Sequence, residues 1–231
     1  MFNKTSMSYL TNIFRFALMA SALNLGAATL YTYDNGETGN TAQNATVSFD
    51  FGNGTLQVII NNLIANPNSV LQGVSGIKFT VIGGLTGTLN TQAGQLITIA
   101  DNGTFTMNAG TPAWTQQTGF ETSVFGGGQP EFVVLGAPGP GLLYSNAGGS
   151  ITGNDPHNPF VKQTLTLNYL IAGATSSTYI NSLFINFNTS IGYVEIPEGR
   201  IPPNETGVPE PSTYALIGGA LIGIQLLRKR K

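Results

Sequence analysis

The chain has no cysteine among its 231 residues. Disulfides and thiolate zinc sites are thereby excluded, so the fold must be held by its core, helped at most by calcium. The absence does not fix a compartment. Histidine occurs once, as His157 in "GNDPHNPF", and no Gly-x-Ser-x-Gly elbow supplies the serine of a hydrolase triad. Between Pro156 and Pro159, His157 reads as the brace of a loop. Charge is scarce as well: charged residues make up 9% of the chain, against about 25% in ordinary soluble domains.

The little charge present is segregated. Lys4 and Arg15 stand at the front, and Arg228, Lys229, Arg230 and Lys231 close the chain. Between residues 29 and 207 ten acids face three bases, a balance of −7. A body of that sign has no basic patch to neutralise phosphates, which argues against a nucleic-acid partner. Apolar residues at 41% suffice for one core, and 30 glycines together with Asn, Thr and Ser take the surface positions that charges usually fill.

The two ends carry address-like patterns. Lys4 and Arg15 precede the apolar stretch Phe16–Leu23, and the small residues Gly26, Ala27 and Ala28 follow it. That is the layout of a secretory signal peptide cut after Ala28, with Ala20-Ser21-Ala22 as an alternative site. Its expected partners are the Sec translocon and signal peptidase. At the back, Tyr214–Leu227 is an apolar run of 14 residues, about 21 Å as a helix against a hydrocarbon core of about 30 Å. It is short for a permanent span. The cations Arg228–Lys231 would be held on the cytoplasmic side, so the chain before Tyr214 faces outward. Pro209-Glu210-Pro211, just outside that run, presents extended, helix-resistant backbone to any enzyme that reads a peptide.

Between the ends, turn signals punctuate runs of β-branched and aromatic residues. In residues 45–63, Val47, Phe49 and Phe51 alternate before Gly52-Asn53-Gly54, and Leu56, Val58 and Ile60 alternate after it. The pattern predicts a hairpin. A second hairpin is expected in 96–107, with Ile97 and Ile99, the turn Asp101-Asn102-Gly103, then Phe105 and Met107. Further strands are expected within 131–136, 160–171 and 179–196. No stretch shows a helical period and no repeat emerges. The reading is all-β: an antiparallel β-sandwich of jelly-roll or immunoglobulin-like kind, flanked by an N-terminal signal helix and a C-terminal transmembrane helix. Residues 126–160 read as long loops around one or two short strands. The layout is a signal peptide at 1–28, a body at 29–195, a proline-rich linker at 196–207 and a terminal segment at 208–231.

Chemistry in the body is sparse. Asp34, Glu37, Asp50, Asp101 and Asp155 lie in acid–Asn–Gly clusters that suit calcium loops, yet Asx-Gly is also what tight turns require, and none has EF-hand spacing. Calcium is a weak candidate and no other cofactor is expected. Trp114, Tyr144, Tyr169, Tyr179 and Tyr193 would form a sugar-stacking platform only if the fold gathered them on one face; otherwise they fill and edge the sheets. Six Asn-x-Ser/Thr triplets, at Asn3, Asn44, Asn53, Asn102, Asn188 and Asn204, suggest surface loops.

The tail as a whole, Val208-Pro209-Glu210-Pro211-Ser212-Thr213 followed by the apolar run 214–227 and the basic residues 228–231, resembles the PEP-CTERM sorting signal of Gram-negative bacteria. The resemblance implies recognition by exosortase, a membrane protease and transpeptidase that cuts near the motif. The chain would then pause in the inner membrane before reaching the cell surface or medium. Such proteins are linked to exopolysaccharide-producing, biofilm-forming cells. The expected function is a non-enzymatic surface or matrix protein associated with exopolysaccharide; the alternatives are a carbohydrate-binding module and an exported hydrolase.

Two cuts are therefore expected, and one measurement locates both. Intact mass of the mature protein with its terminal residues sequenced should give Thr29 as the first residue and an end close to Pro209–Pro211. Replacing Pro209, Glu210 and Pro211 with alanine should leave a membrane-retained chain that keeps its C-terminal tail. Release with unchanged mass would count against exosortase.

Overall fold

Alternation along the chain becomes two β-sheets in a computed structural model, which describes residues 28–125, 131–145, 147–153 and 157–196. The signal segment 1–27, Asp155, the linker from 197 and the tail 208–231 lie outside the described residues. In chain order the first strands are β1 (Thr29–Asp34), β2 (Asn44–Gly52), β3 (Thr55–Asn62), β4 (Val74–Val81), β5 (Thr88–Ala93), β6 (Leu96–Ile99) and β7 (Phe105–Asn108). They are followed by β8 (Thr115–Gln116), β9 (Phe120–Ser123), β10 (Val134–Leu135), β11 (Phe160–Lys162), β12 (Thr164–Leu170), β13 (Ile180–Phe187) and β14 (Val194–Ile196). Among the described residues no helix is long and apolar enough to cross a membrane.

The smaller sheet has the order β1-β2-β3-β12-β5 and is antiparallel throughout. Its centre is the expected hairpin, with Val47, Phe49, Phe51, Leu56, Val58 and Ile60 all buried. Gly54 supplies the positive φ of +75° that the turn needs. The turn is then clasped from outside, because Gly54 N–H donates to Ala174 O at 3.0 Å and Ile171 N–H donates to Gly54 O at 2.9 Å.

The larger sheet runs β14-β13-β4-β10-β11-β6-β7, with β9 also on β4 and β8 on β9. Strand β4 is its hub. One side pairs along its length with β13, and the other is shared between β10, at Val74, and β9, at Gly76–Phe79. The second expected hairpin forms as β6–β7, with Ile97 and Ile99 buried, but Met107 is 64% exposed and contributes nothing to the core.

Two features depart from the reading of the sequence. The pair β10–β11 is parallel, so the larger sheet is mixed rather than purely antiparallel. The long glycine- and proline-rich connection between them supplies the crossover that parallel neighbours require. The run 160–171, within which strand was expected, divides into two strands that lie in different sheets. Gln163, at a φ of 62°, breaks it. At the break Gln163 N–H donates to Leu135 O at 2.7 Å and its carbonyl accepts Asn62 N–H at 2.9 Å, so one residue ties both sheets.

The sheets face each other across a shared core. Phe79 of β4 stacks on Phe120 with ring centroids 4.7 Å apart, and meets Phe49 and Tyr169 of the smaller sheet edge-on at 5.0 and 5.8 Å. Tyr31 continues the cluster at 5.5 Å from Phe49. Phe79→Ala would empty the point at which four rings meet. It should cost about 3–5 kcal/mol of unfolding free energy, read as a lowered midpoint in denaturant with an unchanged slope. A loss below about 1 kcal/mol would show that the sheets are held elsewhere.

Candidate functional site

Strand alternation that buries one face of the smaller sheet must display the other. On this outward face the registers align Asp50, Gln57, Asn168 and Thr91 in one row across β2, β3, β12 and β5. A second row holds Thr32, Thr46, Asn61 and Thr164, and between them lie Leu30, Ser48, Ile59, Thr166 and Ala93. Side chains bond along the rows. Gln57 Nε2 donates to Asn168 Oδ1 at 3.2 Å, Asn168 Nδ2 donates to Thr91 Oγ1 at 3.0 Å, and Thr164 Oγ1 donates to Asn61 Oδ1 at 2.7 Å. Beyond Asp50 at the edge of the first row and the apolar Leu30, Ile59 and Ala93 between the rows, the face carries neutral amides and hydroxyls. Such groups exchange hydrogen bonds with hydroxylated ligands without the desolvation cost of a charge.

The acids singled out in the sequence do not converge there. Asp34 closes β1 and its carboxylate is engaged, Oδ1 accepting Gly36 N–H at 2.8 Å and Oδ2 accepting Asn44 Nδ2–H at 2.9 Å. Glu37 is exposed in the same loop, and its N–H donates to Asn35 Oδ1 at 3.2 Å. Asp50 projects from β2 opposite Gln57, and Asp101 occupies the exposed β6–β7 turn. Among the described residues no group of three or more His, Asp or Glu side chains is placed to hold a metal ion.

The aromatic candidates are mostly spent in the interior. Trp114 is buried and donates its indole N–H to Phe132 O at 2.9 Å; Tyr144 is buried and donates its hydroxyl to Gly136 O at 3.1 Å. Tyr169 shares a 2.7 Å hydrogen bond with Thr122 in the core. Tyr193 is half-buried, and Tyr179 is the one of the five that is exposed. These rings fill and edge the sheets, and no platform forms from the five. His157 is buried beside Asn158, whose side chain clamps β6 through Ile99 N–H and Ile99 O, both at 3.0 Å. Ala28 is exposed immediately before β1.

Two arrangements had no signal in the sequence. Lys78 of β4 pairs with Glu121 of β9 at 3.5 Å, at the rim of the core. The Tyr193 hydroxyl is buried in the same region, with Glu121 and Ser123 as polar neighbours but no hydrogen bond of standard geometry. Burial, and behind it the Glu121 charge, raises its pKa. Lys162 lies with its ammonium 5.0 Å from the centre of the Phe105 ring, a cation–π contact.

Residues 207–231 match the family model of the PEP-CTERM protein-sorting motif. The match covers the tail alone, and it implies an exosortase as processing partner, export, and a membrane-associated sorting step. No curated protein and no solved structure matches the chain.

Buried phenols give the body an alkaline limit. Burial pushes Tyr31 up to about 12 from 10.0, and raises Tyr144 and Tyr169 as well. Below pH 10 both the folded and the unfolded chain keep these protons, so stability is unaffected. Above it the unfolded chain releases them first, and stability falls as pH rises through the folded pKa values. The urea midpoint should therefore drop between pH 10 and about 12. Tyrosinate absorbance from the buried rings should appear together with unfolding; its appearance in a fully folded protein would contradict the assignment.

Proposed function

We propose that the chain is an exported, non-enzymatic surface or matrix protein, cut at its tail by an exosortase and associated with extracellular polysaccharide through the outward face of its smaller sheet. The observation that carries the reading is the sorting motif at residues 207–231. That motif is an address, so the working molecule is the β-rich body ahead of it. The body acts by binding: its charges are few and mostly acidic, and the outward face of its smaller sheet is uncharged along most of its length.

The polar rows supply the chemistry for polysaccharide. Sugar hydroxyls are neutral donors and acceptors, closely spaced and repeated, and Gln57, Asn168 and Thr91 offer the same kind of group at strand spacing of about 4.8 Å. Prealigned amides lose little side-chain entropy on binding, because their mutual hydrogen bonds already hold them. Each contact is weak, and many in register along a polymer add up.

Polysaccharide recovered from the producing cells tests the reading by co-sedimentation with the processed protein. The wild type should pellet with the polymer, and the double variant Gln57→Leu/Asn168→Leu, which keeps the fold and removes the centre of the row, should lose at least about tenfold in affinity. Equal pelleting of both proteins, or none by the wild type, would overturn the assignment of this face.

A further inference from the structure

Every open sheet has edges whose backbone groups invite another strand; among the described residues those at β5, β14 and β7 are guarded, and β8 is only two residues long. At β5 the Gln116 side chain accepts Leu89 N–H at 2.6 Å and donates to Gly87 O at 2.9 Å, while Gln92 bonds both Trp114 N–H and Trp114 O. Strand β14 has three residues, carries Glu195 and is followed by Pro197. Strand β7 has four residues and lies under the Lys162 ammonium at Phe105.

Strand β1 is different. It pairs with β2 over six residues without a bulge, and it contains no proline, glycine or lysine. Asn35 N–H donates to Gln43 O at 3.1 Å, one step beyond the pair Asp34–Asn44, which fixes the alternation of the ladder. Residues 29, 31 and 33 bond inward to β2. The N–H and C=O of Leu30, Thr32 and Asp34 therefore point outward, and no described residue hydrogen-bonds to them.

We propose that β1 is the pairing edge for a second copy of this chain, antiparallel, with Thr32 opposite Thr32 on the two-fold axis. The two five-stranded sheets then become one continuous sheet. Directly opposed residues must share a sheet face, so the axis passes through a residue of the strand. An axis at Thr32 makes three hydrogen-bonded pairs, Thr32 with Thr32 and Leu30 with Asp34 twice, whereas an axis at Tyr31 makes only the two Leu30–Thr32 pairs within the strand. A two-fold contact uses this edge once and closes.

Charge also favours a second copy. A cut after Ala28 would create an α-ammonium at Thr29, one position from Asp34 of the second copy, and the symmetry repeats that pair at the other end. Only the ammonium rests on the export reading; the backbone pairing does not. The chain's own segment 197–211 fits the edge poorly, because its five prolines remove the N–H groups and extended register that pairing needs.

The absence of cysteine makes the register directly testable. In the full-length chain in detergent, oxidised Thr32→Cys should give a covalent dimer, since directly opposed Cα atoms at about 5.5 Å lie within disulfide range. Leu30→Cys, whose opposite residue is Asp34, should form little covalent dimer. Light scattering of the processed protein should give twice the chain mass, Thr32→Lys should give the single mass with an unchanged circular dichroism spectrum, and mixing Thr32→Lys with Thr32→Glu should restore the double mass. Cross-linking of Leu30→Cys as efficient as that of Thr32→Cys would overturn the register. A wild-type mass of one chain, or of one chain plus a foreign polypeptide, would overturn the pairing.

Discussion

The ring of Phe79, stacked on Phe120 and met edge-on by Phe49 and Tyr169, is the contact on which the two sheets depend. No covalent staple can substitute for it, because the chain has no cysteine. Geometry makes the cluster more than buried area: offset-stacked and edge-to-face pairs add about 0.5–1.5 kcal/mol each beyond the transfer term. Phe79 also belongs to β4, the strand that joins β13 on one side to β9 and β10 on the other. Its position thus fixes both the separation of the sheets and the pairing within the larger one.

Irregular segments are held by buried amides. Asn62 donates from Nδ2 to Gln72 O at 2.6 Å and to Val134 O at 2.9 Å, which connects the end of β3 to β10 in the other sheet. Gln72 accepts the N–H groups of Asn68 and Ser69 and donates to Gly39 O at 3.1 Å. Asn186 donates to Ser75 Oγ at 2.8 Å and to Ser190 O at 3.0 Å, and accepts Gly192 N–H at 2.6 Å, so it shapes the loop before β14. Amides serve here because each offers donors and an acceptor without a charge to desolvate, and a satisfied buried network specifies one geometry. A composition rich in Asn and poor in charge is therefore structural as well as superficial.

This division explains what was legible in advance. The hairpin β2–β3 was readable because strict alternation met a Gly-Asn-Gly turn, and local signals sufficed. Strand β4 was not, although it is the hub: Val74, Ser75, Gly76 and Ile77 are buried in succession, and Gly76 closely faces the Tyr193 hydroxyl. A central strand covered on both faces loses its alternation. The break at Gln163 was hidden because its cause is tertiary, a bond to Leu135 from one sheet and to Asn62 from the other. The polar face was hidden for a related reason. Gln57, Asn168 and Thr91 are ordinary surface residues until the register puts them in one row.

Register also settles where the chain enters and leaves the body. Thr29 pairs with Phe49, near the turn that ends β2, and Ile196 pairs with Leu183, near the start of β13. That start lies beside Val81, and Ile82 N–H bonds Tyr179 O at 3.0 Å, while Leu170 pairs with Thr55. Both junctions therefore point toward one end of the body, the end formed by residues 52–55, 82–87 and 171–179, which carry no charged side chain. Removing a leader before Thr29 and a tail beyond Ile196 takes away no strand and no core residue of the described body.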